Sequence, residues 1–207
     1  MPFPCYDFAM QSSVARVRFC GGLVYLMVTA LLAAGVRAQP PLQAENLLLA
    51  QPAGFKVGYQ SNHADSAISE WIPEGQSVEA WTEMLTVQVY RKAKVDAATF
   101  LQGVGKKWSD ACPGSGGKGI FTGQTNGYAV SMLVLRCPKN LTTGKPETTA
   151  FRVIKGKDAL YSVQRAFRSE PSDAELDDVM HYLAKVSVCD TRAPEHPCPS
   201  LDTLMPK

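Results

Sequence analysis

Apolar and polar residues alternate through Phe55-Lys-Val-Gly-Tyr59, as they do in a strand with one face buried. Ala67-Ile-Ser-Glu-Trp-Ile72 continues the pattern and is stopped by Pro73 and the turn residues Glu74-Gly75. Between them and a third strand, Ser77 is placed to cap a single helical turn through Trp81. Glu83-Met-Leu-Thr-Val-Gln-Val-Tyr90 is rich in β-formers, with Leu85, Val87 and Val89 on one face. Upstream, Leu47-Leu-Leu49 is a short apolar patch after the flexible Gln39-Pro-Pro.

The period then lengthens. Asp96 is a good N-cap, and Ala97, Phe100, Leu101, Val104 and Trp108 recur at helical spacing. Gly103 and Gly105 weaken that helix by about 1 kcal/mol each relative to Ala, so packing must hold it. Pro113 to Gly119 is glycine-rich and reads as a loop. Tyr128 to Leu135 is nearly all apolar, the mark of a strand covered on both faces. Thr148–Ile154 and Leu160–Phe167 form a hairpin around Lys155-Gly-Lys-Asp158. Ser172-Asp-Ala-Glu175 is a capping box that opens a helix striped by Leu176, Val179, Met180, Leu183 and Val186. Runs of strands broken by single helices predict an α+β sandwich: an antiparallel β-sheet of about six strands flanked by two main helices.

Ahead of this domain stands a different pattern. Arg16 and Arg18 precede an apolar core from Leu23 to Ala34, and Val36-Arg-Ala38 supplies small residues for a signal peptidase. A spanning helix needs about 20 apolar residues, and this stretch is about a dozen. Residues 1–38 are therefore expected to be a cleaved signal peptide, with Met10 an alternative start and Gln39 the first mature residue. Residues 39–207 form one expected domain, exported to the periplasm or the extracellular space. The membrane enters only through the uncleaved leader.

Export changes the charge and the cysteine count. The whole chain has 21 basic and 19 acidic residues; without Arg16, Arg18, Arg37 and Asp7 the balance is 18 of each. The charge is unevenly placed: net −5 over 39–90, +10 over 91–168 and −5 over 169–207. Such a basic centre can face an anionic envelope component or protein partner, through Arg91, Lys92, Lys94, Lys106, Lys107, Arg152, Lys155, Lys157, Arg165 and Arg168. It can equally be neutralised by the acidic ends of its own fold. Cys112, Cys137, Cys189 and Cys198 remain after cleavage, an even set suited to disulfides in an oxidising compartment. Three pairings are open; the short Pro-rich span from Cys189 to Cys198 favours closing that loop and joining Cys112 to Cys137. The spacing offers neither the paired Cys-x-x-Cys of a zinc site nor a redox motif.

The segment Phe55 to Tyr90, with Pro73-x-Gly-x-x-x-x-x-Trp81-x-x-x-x-Thr86 before a strand, resembles uncharacterised exported bacterial proteins. The element order resembles the PsbP-type α/β sandwich. That resemblance implies an accessory or binding module and carries no catalytic signature.

Candidate chemistry is sparse. Gly114-Ser-Gly-Gly-Lys118-Gly119 lacks the first Gly and the final Ser or Thr of a phosphate loop, leaving at most a small-anion role for Lys118 and nearby amides. His63, Asp65 and Glu70 are the residues for an alternative, hydrolase-like or metal-dependent site, since a carboxylate can orient an imidazole. Glu70, Glu79 and Glu83 near Trp71 and Trp81 raise a sugar site with paired carboxylates. His181 sits within reach of Asp177 on the last helix, and His196 is expected to be exposed. Asn140-Leu-Thr142 is a glycosylation sequon in a eukaryotic host. Neither Gly-x-Ser-x-Gly nor His-Glu-x-x-His occurs. The expectation is a non-catalytic binding or accessory protein with no cofactor, no metal and no nucleic-acid partner.

Overall fold

The computed structural model describes residues 42–200. The expected leader over 1–38 lies outside the described residues. Among the described residues, no helix is long and apolar enough to cross a membrane.

Among the described residues eleven elements follow in order: β1 (Glu45–Leu48), β2 (Phe55–Asn62), β3 (Ser66–Pro73), β4 (Glu83–Arg91), α1 (Ala97–Ala111), β5 (Gly116–Thr125), β6 (Tyr128–Cys137), β7 (Glu147–Lys155), β8 (Ala159–Phe167), α2 (Asp173–Lys185) and β9 (Ser187–Asp190). Seven strands make one antiparallel sheet in the order β2-β3-β4-β8-β7-β6-β5, and β1 pairs with β9 as a second, two-stranded sheet. The architecture is the expected α+β sandwich. After β4 the chain crosses through α1 to the far edge and returns strand by strand, until β8 docks against β4 in a nine-residue register from Glu83↔Phe167 to Arg91↔Ala159.

Strand parity divides the core in two. Leu133, Leu135, Phe151, Val153 and Leu160 project to one face, where Ala97 and Leu101 of α1 pack on them. Leu85, Val87, Val134, Ala150, Ile154, Tyr161 and Val163 project to the other, under Leu176, Val179 and Leu183 of α2. Leu85, Leu101, Leu160 and Leu183 are all fully buried, worth about 1.5–3 kcal/mol each relative to exposure. Val186 and Val188 carry this second core onto β9, whose Cα register pairs Val188 with Leu47.

Local signals fix the helix ends. The Asp96 carboxylate accepts the Thr99 backbone N–H at 2.7 Å, and Ser172 with Glu175 forms the full capping box. Two disulfides, Cys112–Cys137 and Cys189–Cys198, join the end of α1 to β6 and close the loop after β9.

Two local expectations are corrected. Ser77 to Trp81 is not a helical turn but a bend held by the Ala80 N–H on the Ser77 carbonyl at 3.0 Å. The glycine-rich stretch is only partly a loop, because from Gly116 onward it pairs with β6 as an edge strand. There a Cβ at Gly117 would run into the Val134 carbonyl oxygen, so glycine serves close backbone approach rather than turning.

Candidate functional site

The residues of the expected basic surface divide into engaged and exposed ones once side chains are placed. Arg152 is 5% exposed, with Nε donating to the Val186 carbonyl at 3.0 Å and burial lowering its pKa. Arg165 forms an ion pair with Glu83 and lies over the rings of Phe55 and Tyr182, at 5.4 and 5.0 Å. Arg168 donates to the Glu79 carbonyl at 2.8 Å and sits 4.1 Å from the Trp81 ring centroid. Lys155 donates to the Ala93 carbonyl at 2.6 Å, and Lys106 pairs with Asp110 at 2.8 Å. Arg91 ties down the β2–β3 hairpin through the His63 carbonyl at 2.6 Å and Asn62 Oδ1 at 2.9 Å. Lys92, Lys94, Lys107 and Lys157 stay exposed. A charge run read along the chain ignores strand parity, which turns Arg152 and Arg165 toward the α2 core.

The alternative catalytic group is not assembled either. His63 and Asp65 are exposed at the β2–β3 hairpin tip, with His63 Nε2 2.9 Å from Ser61 Oγ. Glu70 lies mid-strand opposite Tyr59, on the α1 face, where burial raises its carboxyl pKa. Trp71 packs into the α2-side core, on the opposite face from Glu70, and Trp81 is taken by Arg168, so the sugar site around them does not form. Among the described residues, no cluster of His, Cys, Asp or Glu could hold a metal ion. Gly116, Gly117 and Lys118 pair with Arg136, Leu135 and Val134 of β6, and Gly119 falls in the register shift that follows, so Lys118 sits on an edge strand rather than in a closed glycine loop. His181 Nδ1 lies 2.9 Å from its own helix carbonyl at Asp177. His196 is not exposed as expected: it stacks on Tyr128 with centroids 4.0 Å apart, and its Nδ1 lies 2.8 Å from the Asn126 carbonyl.

A cleft of about 720 Å³ lies where β1 meets the β7–β8 turn, lined by Glu45, Arg91, Lys92, Lys157, Asp158 and Tyr161 among others. Its carboxylates are already engaged. Glu45 accepts the backbone N–H groups of Lys157, Asp158 and Ala159 and the Tyr161 hydroxyl; burial first, and then the Glu45 carboxylate, raise the Tyr161 pKa. Asp158 and the buried Asp190 both pair with Arg192, which holds Asp190 down to about 2. This network fastens the N-terminal strand, the hairpin and the C-terminal loop together.

The open position is on the α1 face. Helix α1 lies over β5, β6 and β7, and the α1-side residues of β4 and β8 continue the floor beside it. The resulting groove has a volume of about 630 Å³, within the usual range for ligand sites. Tyr90, Phe100, Trp108 and Phe151 give it aromatic walls; Tyr90 packs against Phe100 at 5.3 Å, and Trp108 meets Phe151 edge-on at 6.3 Å. Gln88, Ser162 and Gln164 form the polar floor, with Gln88 directly across from Ser162 and Gln164 across from Thr86. Ser162 is 1% exposed, and Gln88 and Gln164 are half-buried beside it. The Trp108 indole nitrogen is buried and unpartnered among the described residues. Lys107 is the one charged side chain in the lining. These residues escaped sequence reading because Gln88 and Gln164 look like the solvent side of alternating strands. The available signal was that two polar alternations, Thr86/Gln88 and Ser162/Gln164, fall on neighbouring strands.

No protein-family model matches the chain, and no curated protein matches its sequence. Solved structures with some likeness include the Ran-binding protein Mog1p of Saccharomyces cerevisiae: 8% identity, 68% of this chain, 85% of that one, TM-score 0.40. A Mog1 mutant gives 10% identity over 66% of this chain and 78% of that one, with a TM-score of 0.41. LpqN of Mycobacterium tuberculosis, involved in cell envelope biogenesis, gives 16% identity over 70% and 84%, also at 0.41. Likeness of this degree assigns this chain no partner and no activity.

Proposed function

We propose that this chain is an exported, non-catalytic binding or accessory protein whose ligand occupies the groove between α1 and the β4–β8 floor. Residues 1–38 are its signal peptide and 39–207 its single domain, stapled by two disulfides suited to an oxidising compartment. The PsbP-type resemblance enters this reading only as a likeness of element order.

The observation that carries the proposal is Trp108. Its indole N–H, buried at the wall of an aromatic groove, costs free energy while it lacks a partner among the described residues. A ligand that bonds to it removes the cost.

A blocking variant tests the reading. Gly103 lines the groove from α1, and a Cβ there meets nothing within 4 Å, so Gly103→Trp fills the groove without entering the core. Native mass spectrometry of the protein from its own envelope should show a bound species that G103W loses at undiminished Tm. Equal retention by both proteins would refute the assignment.

A further inference from the structure

We infer that the occupant of this groove is a neutral saccharide, an inference that rests on the binding role proposed above. Charge is the first discriminator. Of the thirteen lining residues only Lys107 is charged, and it is exposed at the rim; the floor offers no ion to an acid or a base. An ionic ligand would lose hydration there without a partner.

The floor is nonetheless polar. Gln88 and Gln164 each present a carbonyl and an NH₂ group, and Ser162 a hydroxyl that both donates and accepts. Gln88 and Gln164 sit on neighbouring strands one pleat out of register, diagonal neighbours about 7–8 Å apart at Cα. Vicinal hydroxyls, each also donor and acceptor, match such a set. Trp108, Phe100 and Tyr90 then supply rings for the C–H face of a sugar, and the buried Trp108 N–H beside them lacks a partner among the described residues.

Two other occupants fit less well. An acyl chain would cover Ser162 and both amides and leave them unpaired. An extended peptide gains most of its affinity by adding to a free strand edge, but β4 and β8 are paired on both sides, with β3, with each other and with β7.

The test is titration of the ¹⁵N-labelled, disulfide-bonded protein with triacetylchitotriose, maltotriose and mannotriose, read from backbone, Gln side-chain and Trp indole signals. At least one trisaccharide should saturably shift the Trp108 indole and the Gln88 and Gln164 amides. High salt should leave its affinity unchanged. The double variant Gln88→Ala/Gln164→Ala should weaken it about tenfold or more, and G103W should abolish it, both at near-native Tm. Shifts confined to other surfaces, or none with any trisaccharide, overturn the saccharide assignment. If decanoic acid or an uncharged extended peptide then shifts the groove signals, the groove remains a binding site for another class. If no probe shifts them, the binding role falls as well.

Discussion

The Glu45 carboxylate accepts the Tyr161 hydroxyl at 2.9 Å and, on its other oxygen, the Lys157 backbone N–H at 2.5 Å, joining positions more than a hundred residues apart. Gly156 is glycine for the same reason, because a Cβ there would collide with that carboxylate. Replacing Glu45 by Ala strands several donors at once and should cost about 2–3 kcal/mol, with Gln recovering part of it. Chemical denaturation of E45A and E45Q checks the order, and equal stability of all three proteins would contradict it.

Asp190 sets an acid limit. Its folded pKa of about 2 lies below the ordinary value of about 3.9 because Arg192 hydrogen-bonds it. The unfolded chain therefore binds the proton first, so this stabilisation is complete above pH of about 4 and fades as pH falls toward 2. Asp190→Asn should flatten the stability profile in that window, measured by urea midpoints at stepped pH. An unchanged slope would assign acid sensitivity elsewhere.

Glu70 works in the opposite sense. Burial raises its pKa above 4.5, so the folded state holds the proton longer than the unfolded one. Stability contributed by this site is lost as pH rises from about 4.5 through the folded value, and Glu70→Gln should stabilise the protein at neutral pH. Titration of the Glu70 carboxyl by NMR checks the premise directly.

The disulfides span separations of 25 and 9 residues. Loop-closure entropy gives about 3.5 kcal/mol for the longer and about 2.5 kcal/mol for the shorter. Cys112→Ser/Cys137→Ser should therefore lower stability more than Cys189→Ser/Cys198→Ser. A reversed order, read from denaturant midpoints, would show that Cys189–Cys198 acts through the native contacts of its loop, which include His196 on Tyr128.

Arg152 is a buried cation whose hydrogen-bond partners are the Val186 carbonyl and, at 3.5 Å, the Met132 sulfur. Desolvation without a carboxylate partner is unfavourable, so Arg152→Met should raise stability by about 1 kcal/mol or more. Arg152→Ala should lower it through the cavity left behind. Thermal unfolding of the pair separates charge from volume.

Much of the fold was legible because its signals are local. The cap at Asp96, the box Ser172–Glu175, the stripe Leu176 to Val186 and the alternation through Leu85, Val87 and Val89 each depend on residues a few positions apart. The glycine-rich start of β5 was not legible, since what makes it strand is its pairing with β6. The site was hidden for a similar reason. Gln88 and Ser162 are 74 positions apart, and only the β4–β8 register makes them neighbours.

Sequence by itself determined most of the elements, the signal-like pattern over 1–38, and within 39–207 a balance of 18 basic and 18 acidic residues with four cysteines. Tertiary structure alone decided which face each side chain takes. It turned Arg152 and Arg165 inward, parted His63 from Glu70, stacked His196 on Tyr128 and left the Trp108 indole N–H unpartnered among the described residues beside a groove. Periodicity is a property of neighbours along the chain, whereas register, burial and charge pairing arise only when distant strands dock.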